Sequence, residues 1–438
     1  MRCRRLFVLF LMCVGGWAAA AELPARGADG GDASWSLTAA LARALDGGRE
    51  VAMARRAVQG ARADRVSAEV TPPPQLSVNT QSINPSQMGH GGPWSRPFDT
   101  TVRLEQTLER GDKRVWRTRV ADAGVAAAEL ELRATGRQQA AAVAEAYWQL
   151  KLAQVQAGVA RDNAVLAAEG RDIALQRLAR GDLSRLEATR LSVEAERAAN
   201  ELAHSDLQWR QARWKLRQLL ALERDDSTAA LVAGDPWPEV QTQPPVKAEA
   251  AQDAVAQRPD VRAAAERVSQ AEAALSLAQA QRKADVTVGV QFEHDPPVGQ
   301  RLWGVGFSVP LGVADRQAGA LTRAQVQLDD ARAELERVTA AAFAETRALL
   351  ESWDTARSRL SRIEGQLLPQ ARDALKASEY ARAHGALGLQ DLLDARRTLH
   401  AVELEYAAAQ ADHAIARSLL TLTLTAPLPG AEPDSWKP

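Results

Sequence analysis

The sequence repeats one order of elements twice, first in residues 37–222 and again in residues 249–423. Each copy has a helical run, two short alternating segments, a long helical run, a glycine and a heptad-patterned segment. Three nearly constant offsets superpose matching residues of the two copies: Val51 on Val261, Ala61 on Ala271, Val78 on Val288, Leu108 on Leu311 and Gly181 on Gly385. A duplication that mixes strands with long helices predicts a pseudo-symmetric architecture in which both copies supply equivalent elements.

Residues 1–21 have the pattern of a secretory signal peptide, because arginines precede an apolar stretch that ends in small residues. The only two cysteines, Cys3 and Cys13, fall in this segment. The mature chain is therefore predicted to lack disulfides and zinc–thiolate sites. Lipid attachment at Cys13 is disfavoured, because Met12 stands where a small residue is expected.

The charge and hydropathy of the chain limit its partners. A formal net charge of −1 excludes a strongly basic surface for nucleic acid. Beyond the leader no apolar stretch is long enough for a transmembrane helix. A chain of this kind crosses a membrane only as a closed β-barrel. Export without cysteines fits the envelope of a Gram-negative bacterium.

Four segments alternate apolar with polar or small residues at period two: residues 75–83, 100–108, 285–293 and 302–311. Each is about ten residues long, the length of a tilted membrane strand. Two half-buried hairpins of a soluble domain are the alternative, but isolated hairpins cannot bury both of their faces. Four strands are too few to close a barrel. Three chains are therefore predicted to build one twelve-stranded barrel.

The long helical runs predict one helical hairpin in each repeat, over residues 112–222 and 315–424. A glycine marks the tip of each hairpin, Gly181 in the first and Gly385 in the second. Pro369 lies within the second hairpin, where it predicts a kink or a break.

The returning arms of both hairpins carry apolar and small residues at alternating spacings of three and four, through residues 188–219 and 392–420. This spacing predicts coiled-coil packing. His413 falls on the second seam, where we expect a packing histidine with satisfied hydrogen bonds. Shorter helical runs, residues 37–70 and 249–283, open the two repeats and make up the missing length.

The domain organisation follows from these elements. The first repeat spans residues 22–222 and the second spans residues 249–424. Between them, residues 223–248 form a proline-rich linker that is expected to run around the outside of the molecule at mid-height. Residues 425–438 form a C-terminal tail.

The two tip segments resemble one known family. They read RLARGDLSRLEATR at residues 177–190 and ARAHGALGLQDLLDARRTL at residues 381–399. In each, a glycine and a short loop lead through an acidic residue into a heptad helix. This arrangement resembles the TolC family of trimeric outer-membrane efflux ducts, and the sequence GDLSRLE at residues 181–187 looks like its CzcC-like heavy-metal branch.

The resemblance implies a mainly α fold with a membrane β-barrel portion. A homotrimer would form a twelve-stranded barrel in outer-membrane lipid and an α-helical barrel in the periplasm. A periplasmic adaptor protein, also called a membrane fusion protein, would dock at the helical tips. An inner-membrane pump of the resistance–nodulation–division (RND) type would supply the energy.

Three carboxylates are implied at the pore entrance. Asp391 and Asp394 match family positions that point into the pore, and Glu187 matches the acidic position of the first repeat. Three copies of each would form a ring that favours cations. The alternative is that these are solvated acids at helix N-termini, where the helix dipole favours negative charge.

The tip departs from the family in one respect. A tyrosine and an arginine often hold the gate in the second turn, and here those positions are Arg382 and Leu387. We hypothesise that Glu187 pairs with Arg382 to hold the gate. The adaptor-docking surface implied by the resemblance consists of Gly181, Asp182, Leu183, Ser184, Gly385, Ala386, Leu387 and Gly388.

No catalytic motif is present, and neither a cofactor nor a metal site is predicted. The favoured function is a passive outer-membrane duct of a tripartite efflux system, with heavy-metal cations as one possible cargo. Two alternatives stay open, namely the outer-membrane duct of a type I protein secretion system and a non-conducting periplasmic coiled-coil scaffold. The expected location is the outer membrane of a Gram-negative bacterium, with a large periplasmic part.

Overall fold

A computed structural model describes residues 34–81, 83, 98–224, 231–240, 243–244, 248–295, 300–311 and 317–424. The predicted signal peptide and the C-terminal tail lie outside these ranges. The first repeat contains seven elements in chain order: β1 (Ser34–Trp35), α1 (Leu37–Gly47), α2 (Arg49–Glu69), β2 (Gln75–Gln81), β3 (Asp99–Leu108), α3 (Lys113–Arg180) and α4 (Arg185–Leu219).

The second repeat follows the same order. The linker before it contains β4 (Val232–Ala233). The elements that follow are α5 (Ala248–Val255), α6 (Pro259–Ala280), β5 (Val286–Asp295), β6 (Gln300–Ser308), α7 (Ala318–Arg362), a π-helical turn (Ile363–Leu367), α8 (Leu368–Ala383) and α9 (Leu389–Leu424). The mainly α fold class is therefore confirmed. With 68 residues, α3 is roughly 100 Å long.

The two helical runs that open the repeats are each divided, which the sequence analysis did not predict. Gly48, in extended backbone, separates α1 from α2. A side chain does not fit there, because a Cβ at that position would lie 2.2 Å from the carbonyl oxygen of Ala44. In the second repeat the helical run is interrupted before Pro259, which occupies the first turn of α6. Proline has no N–H to donate and is suited to that position.

The second hairpin is interrupted next to Pro369, where the sequence predicts a kink or a break. A π-helical turn over Ile363–Leu367 precedes this proline, and α8 continues from Leu368. A π-helical turn contains one more residue than an α-helical turn. The extra residue changes which carbonyl faces the nitrogen of Pro369, which has no N–H to donate. The fourth strand is also displaced from its predicted range of residues 302–311. It ends at Ser308, two residues before Pro310, which cannot donate to a ladder.

The four long strands form one antiparallel sheet in the order β2-β3-β5-β6. The central β3–β5 pair joins the two repeats, with Arg103 opposite Gln291 and Val102 opposite Phe292. Because side chains alternate along each strand, one sheet face is polar and the other is apolar. Nine large side chains of the apolar face are exposed: Leu76, Val78, Leu104, Leu108, Val288, Val290, Trp303, Val305 and Phe307.

The main core lies at the middle of α3, around Tyr147. Its hydroxyl donates to the carbonyl oxygen of Trp35 at 2.8 Å and accepts from the backbone N–H of Asp235 at 3.0 Å. Burial raises the pKa of Tyr147 above its usual range. Trp237 stacks on Trp148 with ring centroids 5.6 Å apart. The described part of the linker thus lies against the mid-length of the helical hairpins.

The coiled-coil packing of the returning arms is confirmed, since every predicted seam residue of α4 and α9 is buried or half-buried. His413 is fully buried in the α9 seam. The prediction that its hydrogen bonds are satisfied is wrong, because neither ring nitrogen has a partner among the described residues. Burial, with Arg417 and Arg357 nearby, lowers the pKa of His413.

The lowered pKa makes His413 a source of acid sensitivity. The unfolded chain binds its proton near pH 6.5, while the folded chain does so only at lower pH. Stability therefore falls as the pH drops below about 6.5, by at most about 1.4 kcal/mol per pH unit. We expect His413→Leu to reduce the difference in melting temperature between pH 7.5 and pH 5.5. The exposed His204→Leu is the control and should leave that difference unchanged; equal effects of both substitutions would contradict the prediction.

Candidate functional site at the helical tips

Both hairpins turn at a glycine in left-handed backbone, Gly181 with φ of 83° and Gly385 with φ of 72°. In the first turn the backbone N–H of Asp182 donates to the Arg177 carbonyl at 2.9 Å. In the second, that of Ala386 donates to the Ala381 carbonyl at 2.9 Å. This pattern satisfies carbonyls at a helix C-terminus and favours glycine at the turn. The duplicated glycines therefore fix two equivalent tips.

We expect Gly181→Ala to destabilise the first tip by about 1 kcal/mol, because an alanine Cβ is disfavoured in left-handed backbone. The surrounding space is open, so no clash adds to this cost. Gly170→Ala is the matched control, since Gly170 lies within α3 and is also surrounded by open space. It should stabilise the helix by up to about 1 kcal/mol. Thermal unfolding followed by circular dichroism measures both; shifts of the same sign would contradict the prediction.

The first predicted carboxylate, Glu187, forms a capping box at the start of α4. The Ser184 hydroxyl accepts from the Glu187 backbone N–H at 3.2 Å, and Glu187 accepts from the hydroxyl and backbone N–H of Ser184 at 2.8 and 3.3 Å. These hydrogen bonds, with a smaller contribution from Arg382 and Arg190, lower the pKa of Glu187. No hydrogen bond or ion pair within the described chain joins Glu187 to Arg382. The charge of Arg382 lowers the pKa of Glu187 from a distance, without direct contact.

The other two carboxylates lie at the start of α9. Asp391 accepts from the backbone N–H of Gly388 at 3.3 Å, and its side chain is otherwise exposed. Asp394, one turn further on, accepts from Arg397 at 3.3 Å. Glu187 and Asp391 thus both act at helix N-termini, as the alternative interpretation requires. The exposed oxygens of Asp391 and Asp394 remain available to solvent at the same tip.

A set of contacts that the sequence analysis missed joins the two hairpins. Side chains of α4 and α9 meet along the tip-proximal turns: Arg190 with Gln390 at 3.2 Å, Glu194 with Arg397 at 3.0 Å and Glu201 with His400 at 3.0 Å. We call these three contacts the inter-hairpin ladder. Complementary charges beside the heptad seams were the available signal, but spacing alone does not show which helices face each other.

The strongest contact of the ladder is the bidentate pair of Arg397 and Glu194. Two guanidinium nitrogens of Arg397 donate to the two carboxylate oxygens of Glu194, which is the stronger geometry for such pairs. This hydrogen bonding lowers the pKa of Glu194. Beside the pair lies a groove of about 420 Å³ lined by both hairpins, including Arg190, Val193 and Leu393.

The described residues bring together no group of three or more histidine, aspartate or glutamate side chains that could hold a metal ion. Among the helices given above, none is both long enough and apolar enough to span a membrane. The tip therefore offers charged side chains, a groove and two exposed turns, and the described chain shows no clustered ligand set.

The sequence of the chain is similar to those of known proteins. The sequence model of a family described as outer membrane efflux protein matches residues 40–222 and 250–425. The cobalt-zinc-cadmium resistance protein CzcC of Cupriavidus metallidurans is 25% identical over 374 residues, covering 85% of each chain.

Solved structures share the fold. A membrane protein from Pseudomonas aeruginosa superposes with a TM-score of 0.75 at 22% identity, covering 91% of this chain and 92% of that one. The CmeC outer membrane channel of Campylobacter jejuni superposes with a TM-score of 0.77 at 16% identity, covering 92% and 89%.

Proposed function

This chain belongs to the outer membrane efflux protein family, and we propose that it is the passive outer-membrane duct of a tripartite efflux system. It lies in the outer membrane of a Gram-negative bacterium with a large periplasmic part. The observation that carries the proposal is the apolar sheet face, where Trp303, Val305 and Phe307 are 79%, 87% and 83% exposed. An apolar patch of this kind marks contact with a membrane or a partner, and lipid is the partner that fits strands of this length.

The open sheet supports a homotrimer. Strands β2 and β6 are its edges and have one neighbour each, and unpaired edges are unstable in lipid. Pairing β2 of one protomer with β6 of the next, three times over, closes twelve strands into a barrel. The helical hairpins of the three chains then enclose a periplasmic tunnel whose entrance is at the tips.

Two features of the tip support the choice of partners and cargo. The exposed turns around Gly181 and Gly385 offer a docking surface for a periplasmic adaptor, which connects the duct to an RND-type pump. Asp391, Asp394 and Glu187 place carboxylates at the entrance, and rings of carboxylates favour cations. Since a cobalt-zinc-cadmium resistance protein is among the relatives, we propose divalent heavy-metal cations as the cargo.

We further propose that the tip is held closed by contacts between the hairpins. The inter-hairpin ladder, above all Arg397 with Glu194, ties α4 to α9. The pairing of Glu187 with Arg382 remains a second proposal for the same gate, supported by their electrostatic proximity. The two proposals differ in which substitution opens the tip.

Cysteine cross-linking tests the adaptor contact. The two natural cysteines lie in the predicted leader, so Leu183→Cys or Leu387→Cys introduces one reactive thiol at the tip. We expect a thiol-specific cross-linker to join either variant to a co-expressed periplasmic adaptor. Gln300→Cys, at the opposite end of the molecule, is the control and should give no adduct. Equal cross-linking at the tip and at residue 300 would refute docking at the tip.

A further inference from the structure

The polar face of the sheet carries a charged cluster that the proposed function does not use. Arg103 on β3 donates to the side-chain oxygen of Gln291 on β5 through two guanidinium nitrogens, at 2.7 and 3.1 Å. A third nitrogen of Arg103 donates to Glu105 at 3.5 Å. The guanidinium is therefore fixed between a neutral amide and a carboxylate, half-exposed on the face opposite to the apolar one.

Glycines on the neighbouring strands form a recess beneath this cluster. Gly289 stands opposite Glu105 and Gly306, while Gly304 stands opposite Gln291. A Cβ on Gly289 would lie 2.9 Å from Cγ of Glu105, and one on Gly304 would lie 2.9 Å from Cγ of Gln291. The missing side chains let Glu105 and Gln291 lie flat on the sheet, beside Arg103.

We propose that Arg103 and Glu105 form a charge-balanced pair, in which Glu105 prevents Arg103 from making the sheet-lined part of the duct oppose cations. The inference rests on the proposed function, because the apolar face contacts lipid only if the polar face lines the lumen. Three-fold symmetry places three guanidinium groups around that lumen. Glu105 offsets the positive charge of Arg103, so that cations leaving the tunnel meet no net positive ring.

Single and double substitutions test the pair through the reversal potential of the trimer in a planar bilayer. Glu105→Gln leaves the charge of Arg103 uncompensated and should lower the cation-to-anion permeability ratio about threefold at low ionic strength. Arg103→Gln leaves Glu105 uncompensated and should raise the ratio by a similar factor. The double substitution restores neutrality and should return the ratio to the wild-type value. All three differences should disappear in 1 M salt, where charges are screened within about 3 Å.

A second variant keeps the test independent of the folding of these substitutions. Ser77 lies opposite Arg103 on the same face, at an exposed position of β2. Ser77→Glu should therefore raise the permeability ratio as Arg103→Gln does. Unchanged reversal potentials in all variants of a conducting trimer would overturn the inference and leave the duct proposal standing. A wild-type protein that does not conduct would overturn both.

Discussion

Arg397→Ala is expected to open the tip and raise the conductance of the reconstituted protein about tenfold. The substitution removes the bidentate pair with Glu194 and the contact with Asp394. An exposed ion pair contributes roughly 0.5 kcal/mol, and three symmetry-related copies lost together would shift a closed–open equilibrium by about one order of magnitude. Conductance in planar bilayers and sensitivity of cells to large antibiotics both measure the opening.

Arg396→Ala is the matched control for this prediction. Arg396 is the neighbouring residue of α9, but it pairs with Glu379 of the same hairpin at 3.4 Å. Its loss removes an arginine and an ion pair but no contact between the two hairpins, so conductance should stay near the wild-type value. Arg382→Ala distinguishes the two gate proposals. An increase with Arg382→Ala and none with Arg397→Ala would show that Glu187 and Arg382 hold the gate.

The Asp391→Asn/Asp394→Asn double variant is expected to lose most of the cation preference of the entrance. Six carboxylates would disappear from the proposed threefold ring, so the cation-to-anion permeability ratio should fall about tenfold at low salt. Asparagine at position 391 can still accept the N–H of Gly388 through its amide oxygen. Charge is thus removed while the local backbone is preserved. Reversal potentials under a salt gradient give the ratio.

The control for the acidic ring is Asp182→Asn, which removes one exposed carboxylate from the first turn at the same tip. It should change the ratio little, since Asp182 belongs to the proposed adaptor-docking surface and not to the proposed acidic ring. If the Asp391/Asp394 variant keeps the wild-type ratio, these carboxylates serve only as acids at a helix N-terminus. Arg397 also contacts Asp394, so a substitution at position 394 can change both the opening of the tip and its ion selectivity. Conductance and selectivity should therefore be measured in the same recordings.

The strands and tips could be predicted from sequence because their causes are local. Alternation fixes which side chains share a sheet face, and a left-handed turn requires residues such as Gly181 and Gly385. The same logic located the seams of α4 and α9. These features depend on neighbours within a few residues, so a single chain contains all the necessary information.

Other features depend on contacts between distant parts of the chain. Arg397 and Glu194 are about 200 residues apart in sequence, and their pairing depends on how two long helices are rotated. His413 has the same sequence pattern as any seam residue, and only the packed structure shows that its ring nitrogens lack partners within the described part of the chain.

Conductance of the purified full-length protein in a planar lipid bilayer tests the duct proposal most directly. We predict that detergent-extracted trimers insert and give discrete, cation-selective current steps, which Arg397→Ala enlarges. A protein that remains in aqueous solution without detergent and gives no current steps, in wild-type form and with Arg397→Ala alike, would contradict the proposal and favour a non-conducting scaffold.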